Sequence, residues 1–387
     1  MDTADIRHSN SQQVLRLLWK IRQVSRADLA RMTGLSRPSI STLVEEFIEQ
    51  GLVSEVGFGQ SNGGRRPVLL RFEDDARSLL GIELGRSSVK TLLCNLRGEE
   101  IAWWEDPVAT AEDPLATLEV ILAQVNRASL VAQERRSSIL GLGLGLPSPV
   151  FSQWGAESLH PTIFPQWKGF QLQKALQEEL RLPVWVGNDA NLGALAELWW
   201  HAEQPLQHLV YLQLGDGLGA GIVLGGKIFS GSHGLAGEIG HARLSSEASR
   251  SLSALSFNEL LKQDSSRELS ADTLTILSSA IAQAILNWDP QMLVLGGSWA
   301  QWDTDRIESL QKAVRAHLVW PELQGIPIQT SLFGERQTAL GAATLVLEKF
   351  LEASKVLLLS KNGGTDEKPD DLGGFSGRRI ISVDSGL

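Results

Sequence analysis

Residues 209–221 read Leu-Val-Tyr-Leu-Gln-Leu-Gly-Asp-Gly-Leu-Gly-Ala-Gly and run on into Ile222-Val223-Leu224, Gly225-Gly226 and Lys227-Ile228-Phe229. A β-branched and apolar run, a glycine turn and a second apolar run predict a strand hairpin. The same texture stands earlier in the chain. Leu79 to Leu84 and Ser88 to Leu96 are two strands joined by Gly85-Arg86-Ser87, and Ile101 to Trp104 can be a third. Two segments that each open with strand, glycine turn and strand suggest an internal duplication, and a cleft between two such lobes is a natural seat for a small ligand.

Working outward, a helix is expected over about 114–128, and a buried strand over 139–146 that ends in Pro147-Ser148-Pro149. A helix near 172–180 leads to strand 184–187. That strand runs into Asn188-Asp189-Ala190-Asn191 and an Ala/Leu-rich helix to Trp200. Residues 272–287 read as a helix and 291–295 as a strand closing at Gly296-Gly297.

The N-terminal segment has a different character. Val14, Leu15, Leu17, Leu18 and Ile21 place an apolar stripe on a first helix. Ser25-Arg26-Ala27-Asp28 opens a second helix as a capping box, with Leu29 and Met32 expected to be buried. Gly34 suits the turn after it. Ser36 can cap a third helix carrying Ile40, Leu43, Val44, Phe47 and Ile48. Two helices joined by a short glycine-bearing turn form the helix-turn-helix arrangement. The outer face of the third helix offers Ser36, Arg37, Pro38, Ser39, Ser41 and Thr42, short hydrogen-bonding side chains plus one cation, for a DNA groove. Strands at 52–56 and 67–72 flank a Gly-rich tip ending Gly64-Arg65-Arg66, which reads as a cationic wing able to follow phosphates. A small helical protein-contact domain with a solvated Arg pair is the plainer alternative.

Charge agrees with this division. The 387 residues carry a net charge of −10, which taken whole argues against nucleic acid. Residues 1–72, however, hold ten Lys/Arg and seven Asp/Glu, and the remainder holds 25 and 38. A head of +3 sits on a body of −13, the asymmetry of a nucleic-acid-binding module fused to something else. Hydrophobic residues make up 43%, enough for globular packing. No run approaches about 18 consecutive apolar residues and the N-terminus lacks an apolar signal core, so no membrane partner and a cytoplasmic location are expected. Cys94 is the only cysteine, which excludes a disulfide framework and any zinc site built on several thiolates.

The order of these features resembles the ROK family, which groups sugar-responsive repressors with sugar kinases. The resemblance rests on the winged helix, Gly-Arg-Arg-Pro at 64–67, Asn-Asp-Ala-Asn at 188–191, Gly-x-Gly-x-Gly-Ala-Gly at 215–221 and Gly-Glu-Ile-Gly-His at 237–241, and covers about residues 10–350. It implies an α/β, actin-like, two-lobed sugar-kinase fold behind a winged helix-turn-helix. The expected division is a DNA-binding head at 1–76, a first lobe at 77–190 with a helix at about 335–352 returning to it, a second lobe at 191–334, and a disordered tail at 362–387. It also implies a homodimer or homotetramer acting on operator DNA. In the cleft it implies that Asn188 holds the sugar, that Glu238 and His241 bind its hydroxyls, and that Asp189 would be the catalytic base if the chain were a kinase. Segments at 146–149 and 161–169, including Trp167, resemble others near the sugar. The plainer alternatives are that Asp189 caps the following helix and His241 is a satisfied core histidine.

Two departures from the family pattern stand out. ROK kinases carry Asp-x-Gly-Gly-Thr in the first hairpin, where this chain has Glu83-Leu84-Gly85-Arg86-Ser87, and Asp216 stands where kinases commonly have Thr. The phosphate loops around Gly85, Gly215, Gly217 and Gly219 therefore read as degenerate, and ATP is not expected. The family's Cys-x-Cys-Gly-x-x-Gly-Cys after the Gly-His pair is missing, so no zinc and no other cofactor are expected. These readings favour a sugar-responsive repressor over an active sugar kinase with a DNA-binding head; a regulator controlled by a partner protein is a third alternative.

Overall fold

In a computed structural model the described residues are 3–60, 66–150, 159, 163–201, 206–215, 217–241 and 271–352. Helices α1 (Thr3–Lys20), α2 (Arg26–Thr33) and α3 (Arg37–Glu49) pack with a small sheet of β1 (Val24–Ser25), β2 (Val53–Phe58) and β3 (Val68–Phe72). The sheet order is β1-β3-β2, with both pairings antiparallel. Val14, Leu18, Leu29, Ile40, Val44, Phe47 and Leu70 form the head's buried core. Gly34 sits at φ 74° immediately after α2 and Gly51 at φ 69° after α3, so both helices stop where an L-residue would be strained. This is winged helix-turn-helix geometry.

Two local expectations need correction. Met32 is 50% exposed rather than buried, because it falls in the last turn of a short helix, at the rim where Gly34 turns the chain away. The capping box is also incomplete. Ser25 Oγ accepts the Asp28 N–H at 3.1 Å, but the Asp28 carboxylate takes the Ser25 hydroxyl and Arg31.

The body contains two five-stranded sheets. The first joins β4 (Arg77–Leu84), β5 (Ser88–Asn95), β6 (Glu100–Pro107), β7 (Ser138–Leu146) and β8 (Val184–Asn188) in the order β6-β5-β4-β7-β8. The second joins β9 (Leu209–Leu214), β10 (Leu218–Leu224), β11 (Lys227–Ile228), β12 (Met292–Gly297) and β13 (Ile328–Thr330) in the order β11-β10-β9-β12-β13. Each sheet has an antiparallel three-stranded meander followed by two parallel strands, so the topology repeats strand for strand. The repeated texture of the sequence corresponds to a repeated topology.

Helix α4 (Pro114–Glu134) packs against β5 and β7, burying Leu118, Ile121, Val125, Ala128 and Ala132. Among the described helices it is the one long and apolar enough, by length and composition, to cross a membrane. Helix α5 (Leu172–Leu180) supports β8. Helix α6 (Asp189–Trp200) lies between the sheets, against β9 and β10 on one side and the C-terminal helix Gln337–Glu352 on the other. The C-terminal helix rests on β4 and β7 of the first sheet. A boundary at 190 thus cuts into a helix shared by both lobes.

Close approach around α6 explains several glycines. A Cβ on Gly221 would sit 2.2 Å from the Ala190 carbonyl oxygen, one on Gly193 would sit 2.3 Å from the Tyr211 ring, and one on Gly341 would sit 1.8 Å from the Leu192 carbonyl oxygen. The turn between β9 and β10 is accordingly shorter than residues 215–221. Gly219 and Gly221 are inside β10, and Gly221 is glycine because α6 crosses there. The stretch 362–387 lies outside the described residues.

Gly341→Ala is expected to cost about 1–3 kcal/mol, since the new methyl meets backbone that can only yield by moving a helix. Gly325→Ala, whose nearest atoms lie 3.5 Å away, is expected to stay within about 0.5 kcal/mol. Urea unfolding of the two variants checks this, and equal losses would refute the packing argument.

Candidate effector cleft and DNA-facing helix

The turn after β4, the ends of β7 and β8, the start of α6 and the turn after β9 converge on one cleft with an empty volume of about 890 Å³, open to solvent. Its lining includes Glu83, Arg86, Ser148, Asn188, Asp189, Gln213 and Glu238, with Gly85, Gly215, Gly217, Gly219 and Gly240 supplying backbone. The strand ends deliver these groups because both sheets point their β4- and β9-type strands at the same gap, as in open α/β sheets generally.

Asn188 ends β8 and caps α6. Its Oδ1 accepts the Asn191 N–H at 3.1 Å, while its Nδ2 donates to the Ser148 carbonyl at 3.3 Å and to Asp189 Oδ1 at 3.0 Å. The helix cap is therefore Asn188, not Asp189. Asp189 Oδ1 also accepts the Ala190 N–H at 2.8 Å, which fixes the carboxylate and leaves Oδ2 outside these bonds.

Burial pushes the Asp189 carboxyl up to about 7; the Ala190 N–H opposes this and the nearby Glu238 adds to it. Burial also raises Glu83 to about 7, with Lys90 opposing and Asp189 reinforcing. Glu238 is raised by burial as well. Asp189 and Glu83 can thus be neutral donors or charged acceptors near neutral pH, a versatility suited to hydroxyl groups.

Glu238 reaches the cleft because its segment lies directly on β10. Cβ atoms on Gly237 and Gly240 would fall 1.8 Å and 2.4 Å from the carbonyl oxygens of Ala220 and Leu218, and Gly237 also has φ 91°. The two glycines of Gly-Glu-Ile-Gly are thus a packing requirement. His241 ends the short turn Ile239–His241; its side chain lies outside the described residues. From the segment 161–169, Ile163 lines the cleft, and Trp167 is fully buried and donates to the Thr110 carbonyl at 2.7 Å. Its ring is needed in the first lobe's core.

Glu83 and Gln213 were not anticipated as lining residues. The duplication could have found them: Ile82-Glu83-Leu84-Gly85 in the first hairpin matches Leu212-Gln213-Leu214-Gly215 in the second, so they are equivalent positions. Arg86, beside Gly85, holds its guanidinium 5.0 Å from the Phe164 ring centroid and lines the cleft where a bare turn would leave room. Asp216 lies outside the described residues. Cys94 is buried in β5.

On the head, Ser36 caps α3 by accepting the Ser39 N–H at 3.2 Å, and the two hydroxyls lie 2.8 Å apart. Ser36, Arg37, Pro38, Ser39 and Thr42 are exposed, and Ser41 is half-buried. Thr42 Oγ1 bonds the Pro38 carbonyl at 3.2 Å. Arg66 is exposed beside β3; Gly64 and Arg65 lie outside the described residues.

Residues 79–252 match the ROK family model. The chain is similar to the xylose repressor of Caldicellulosiruptor bescii, with 33% identity over 239 residues, or 62% of this chain and 59% of that protein. The match thus spans less than two thirds of that relative's length. In structure it is similar to a ROK family transcriptional regulator described as a homologue of the E. coli MLC protein, with a TM-score of 0.70 and 23% identity, covering 92% of this chain and 98% of that one. A ROK family glucokinase from Streptomyces griseus, solved with glucose and AMPPNP, matches with a TM-score of 0.54 and 20% identity over 69% of this chain and 98% of its own. The fold is the actin-like, two-lobed fold of ROK regulators and sugar kinases.

The raised carboxyls predict a pH signature. In the unfolded chain they ionise near their ordinary values of 3.8 and 4.5, and in the folded chain only near 7. Between those values the folded state holds more protons, so stability falls as pH rises from about 4 to about 7. Glu83→Gln is expected to raise Tm by about a few degrees at pH 8 and by less at pH 5. Thermal denaturation at both pH values checks this, and an equal shift at each would refute the assignment.

Proposed function

We propose that the chain is a DNA-binding transcriptional repressor whose operator affinity responds to a sugar held between its lobes. The observation that carries this reading is the joining, in one chain, of a winged helix-turn-helix with an exposed Arg37 on α3 and a polyol-suited cleft built by Asn188, Asp189 and Glu238. The repressor name of the Caldicellulosiruptor relative supports it. In this reading Asp189 and Glu238 bind sugar hydroxyls, His241 joins them, and Asn188 positions Asp189 through its cap. A wrong hydroxyl pattern would leave a buried carboxyl unpaired and be rejected. The head acts as a symmetric homodimer or homotetramer on a two-fold operator, and the protein works in the cytoplasm.

The proposal includes no cofactor and no ATP. Arg86 stands beside the turn where backbone would have to approach phosphate, and Glu83 with Asp189 places acid along the same wall. The second reading, an active sugar kinase, is favoured by Asp189 alone: a carboxyl held near neutral pKa is suited to take a hydroxyl proton.

A duplex selected by the full chain from a random pool serves as the operator probe. Its affinity is expected to change when D-xylose, D-glucose, D-mannose or N-acetyl-D-glucosamine is added, and no response to any sugar would sink the effector reading. Arg37→Ala is expected to weaken binding by about 1–3 kcal/mol. A coupled ADP-release assay with the same sugars is expected to show no turnover; turnover abolished by Asp189→Asn would establish the kinase instead.

A further inference from the structure

The cleft and the head lie at opposite ends of one helix. α6 starts with Asp189 in the cleft and ends with Trp199 and Trp200, about 18 Å away at 1.5 Å per residue. Its N-terminal half is clamped. Ala190 meets β10 at Gly221, Gly193 meets Tyr211, and Leu192 meets the C-terminal helix at Gly341, all at distances that admit no additional methyl. Such a helix moves as a body or not at all, because packed interfaces switch rather than deform.

Its far end is joined to α1 of the head by aromatic rings. Trp19 lies 5.4 Å from Trp199 and 6.1 Å from Trp200, ring centre to ring centre, and Trp199 and Trp200 are 6.1 Å apart. Polar bonds fix each side of the cluster. Trp19 Nε1 donates to the Leu96 carbonyl at 2.8 Å, and the Arg97 guanidinium covers the Trp19 ring at 4.8 Å while holding Asp74 at 2.7 Å. Trp200 Nε1 donates to Thr344 Oγ1 at 2.7 Å. α1 in turn packs on α2, α3 and β3, so a displacement of Trp19 moves the surface that carries Arg37.

We infer that α6 transmits the effector signal: a sugar bound at Asp189 shifts α6, and the Trp199–Trp200 end passes that shift to the head through Trp19. The inference rests on the sugar-responsive reading above and assigns its route. A ligand drives the shift only through a difference in its affinity for the two positions of α6. α1 also meets the C-terminal helix: the exposed Arg16–Glu352 pair at 3.5 Å is too solvated to carry much coupling, while Val14, Leu15 and Leu18 share a buried cluster with Val346, Leu347 and Phe350, a static apolar seat against which the Trp19 contact can shift.

The test measures coupling, not folding. For the full chain, the dissociation constant of the selected duplex is measured with and without saturating D-xylose, D-glucose or N-acetyl-D-glucosamine, and the sugar's constant with and without duplex. Linkage requires the two ratios to agree. Trp199→Leu and the milder Trp19→Phe are expected to bind both ligands yet lower the ratio by about fivefold or more, within the usual span of allosteric coupling. Arg16→Gln is expected to keep the wild-type ratio. If Trp199→Leu does not fold by circular dichroism, Thr344→Val takes its place, removing the bond to Trp200. Wild-type ratios in both cluster variants would overturn the route while leaving the sugar response intact. A ratio of one in the wild-type chain for every sugar would overturn the response itself, and this is seen before any variant is made.

Discussion

The structure depends on how closely α6 lies between two sheets. Helices in contact usually keep their axes 8–10 Å apart, a distance set by the side chains between them. Here glycines at 193, 221 and 341 remove those side chains at each crossing, so backbone meets backbone or ring. The two lobes share a helix as a result, and the cleft at its N-terminus is defined by both. The position of Asp189 is therefore a property of the whole body rather than of one lobe.

That constraint also sets the cleft's electrostatics. Asp189 is held at the first turn of α6 by the Asn188 cap, where the Ala190 N–H favours its charge. Burial outweighs this and raises the group, as it raises Glu83 and Glu238. The cleft thus presents acid and one guanidinium along one wall. What such a cleft can do is decided by the side chains on the frame, since one fold hosts many functions.

Much of this was legible in the sequence. The helix-turn-helix could be read because its signals are local: Ser25 and Ser36 as caps, Gly34 and Gly51 as stops, apolar spacing between them. The body strands could be read because apolar runs end in glycine turns, and the two hairpins are similar enough to reveal duplication. The convergence of Asn188, Asp189 and Glu238 was legible only through family resemblance, since nothing in spacing brings 189 next to 238. Glu83 and Gln213 escaped notice although the duplication marks them. That Ile163 faces the cleft while Trp167 fills the core was not legible, because an aromatic ring beside glycine and proline reads alike in either place.

The sequence by itself determined the modules, the order of elements, the shift of positive charge into the head and the impossibility of a multi-cysteine zinc site. These follow from composition and from interactions within a few residues along the chain. Only the tertiary structure decided which glycines are turns and which admit a crossing helix. It also decided that Asn188 rather than Asp189 is the cap, and that Trp19 meets Trp199 and Trp200 some 180 residues further on. The physical reason is that burial and close approach are set by partners distant in sequence, and a glycine or a tryptophan carries no mark of its partner until the chain has folded.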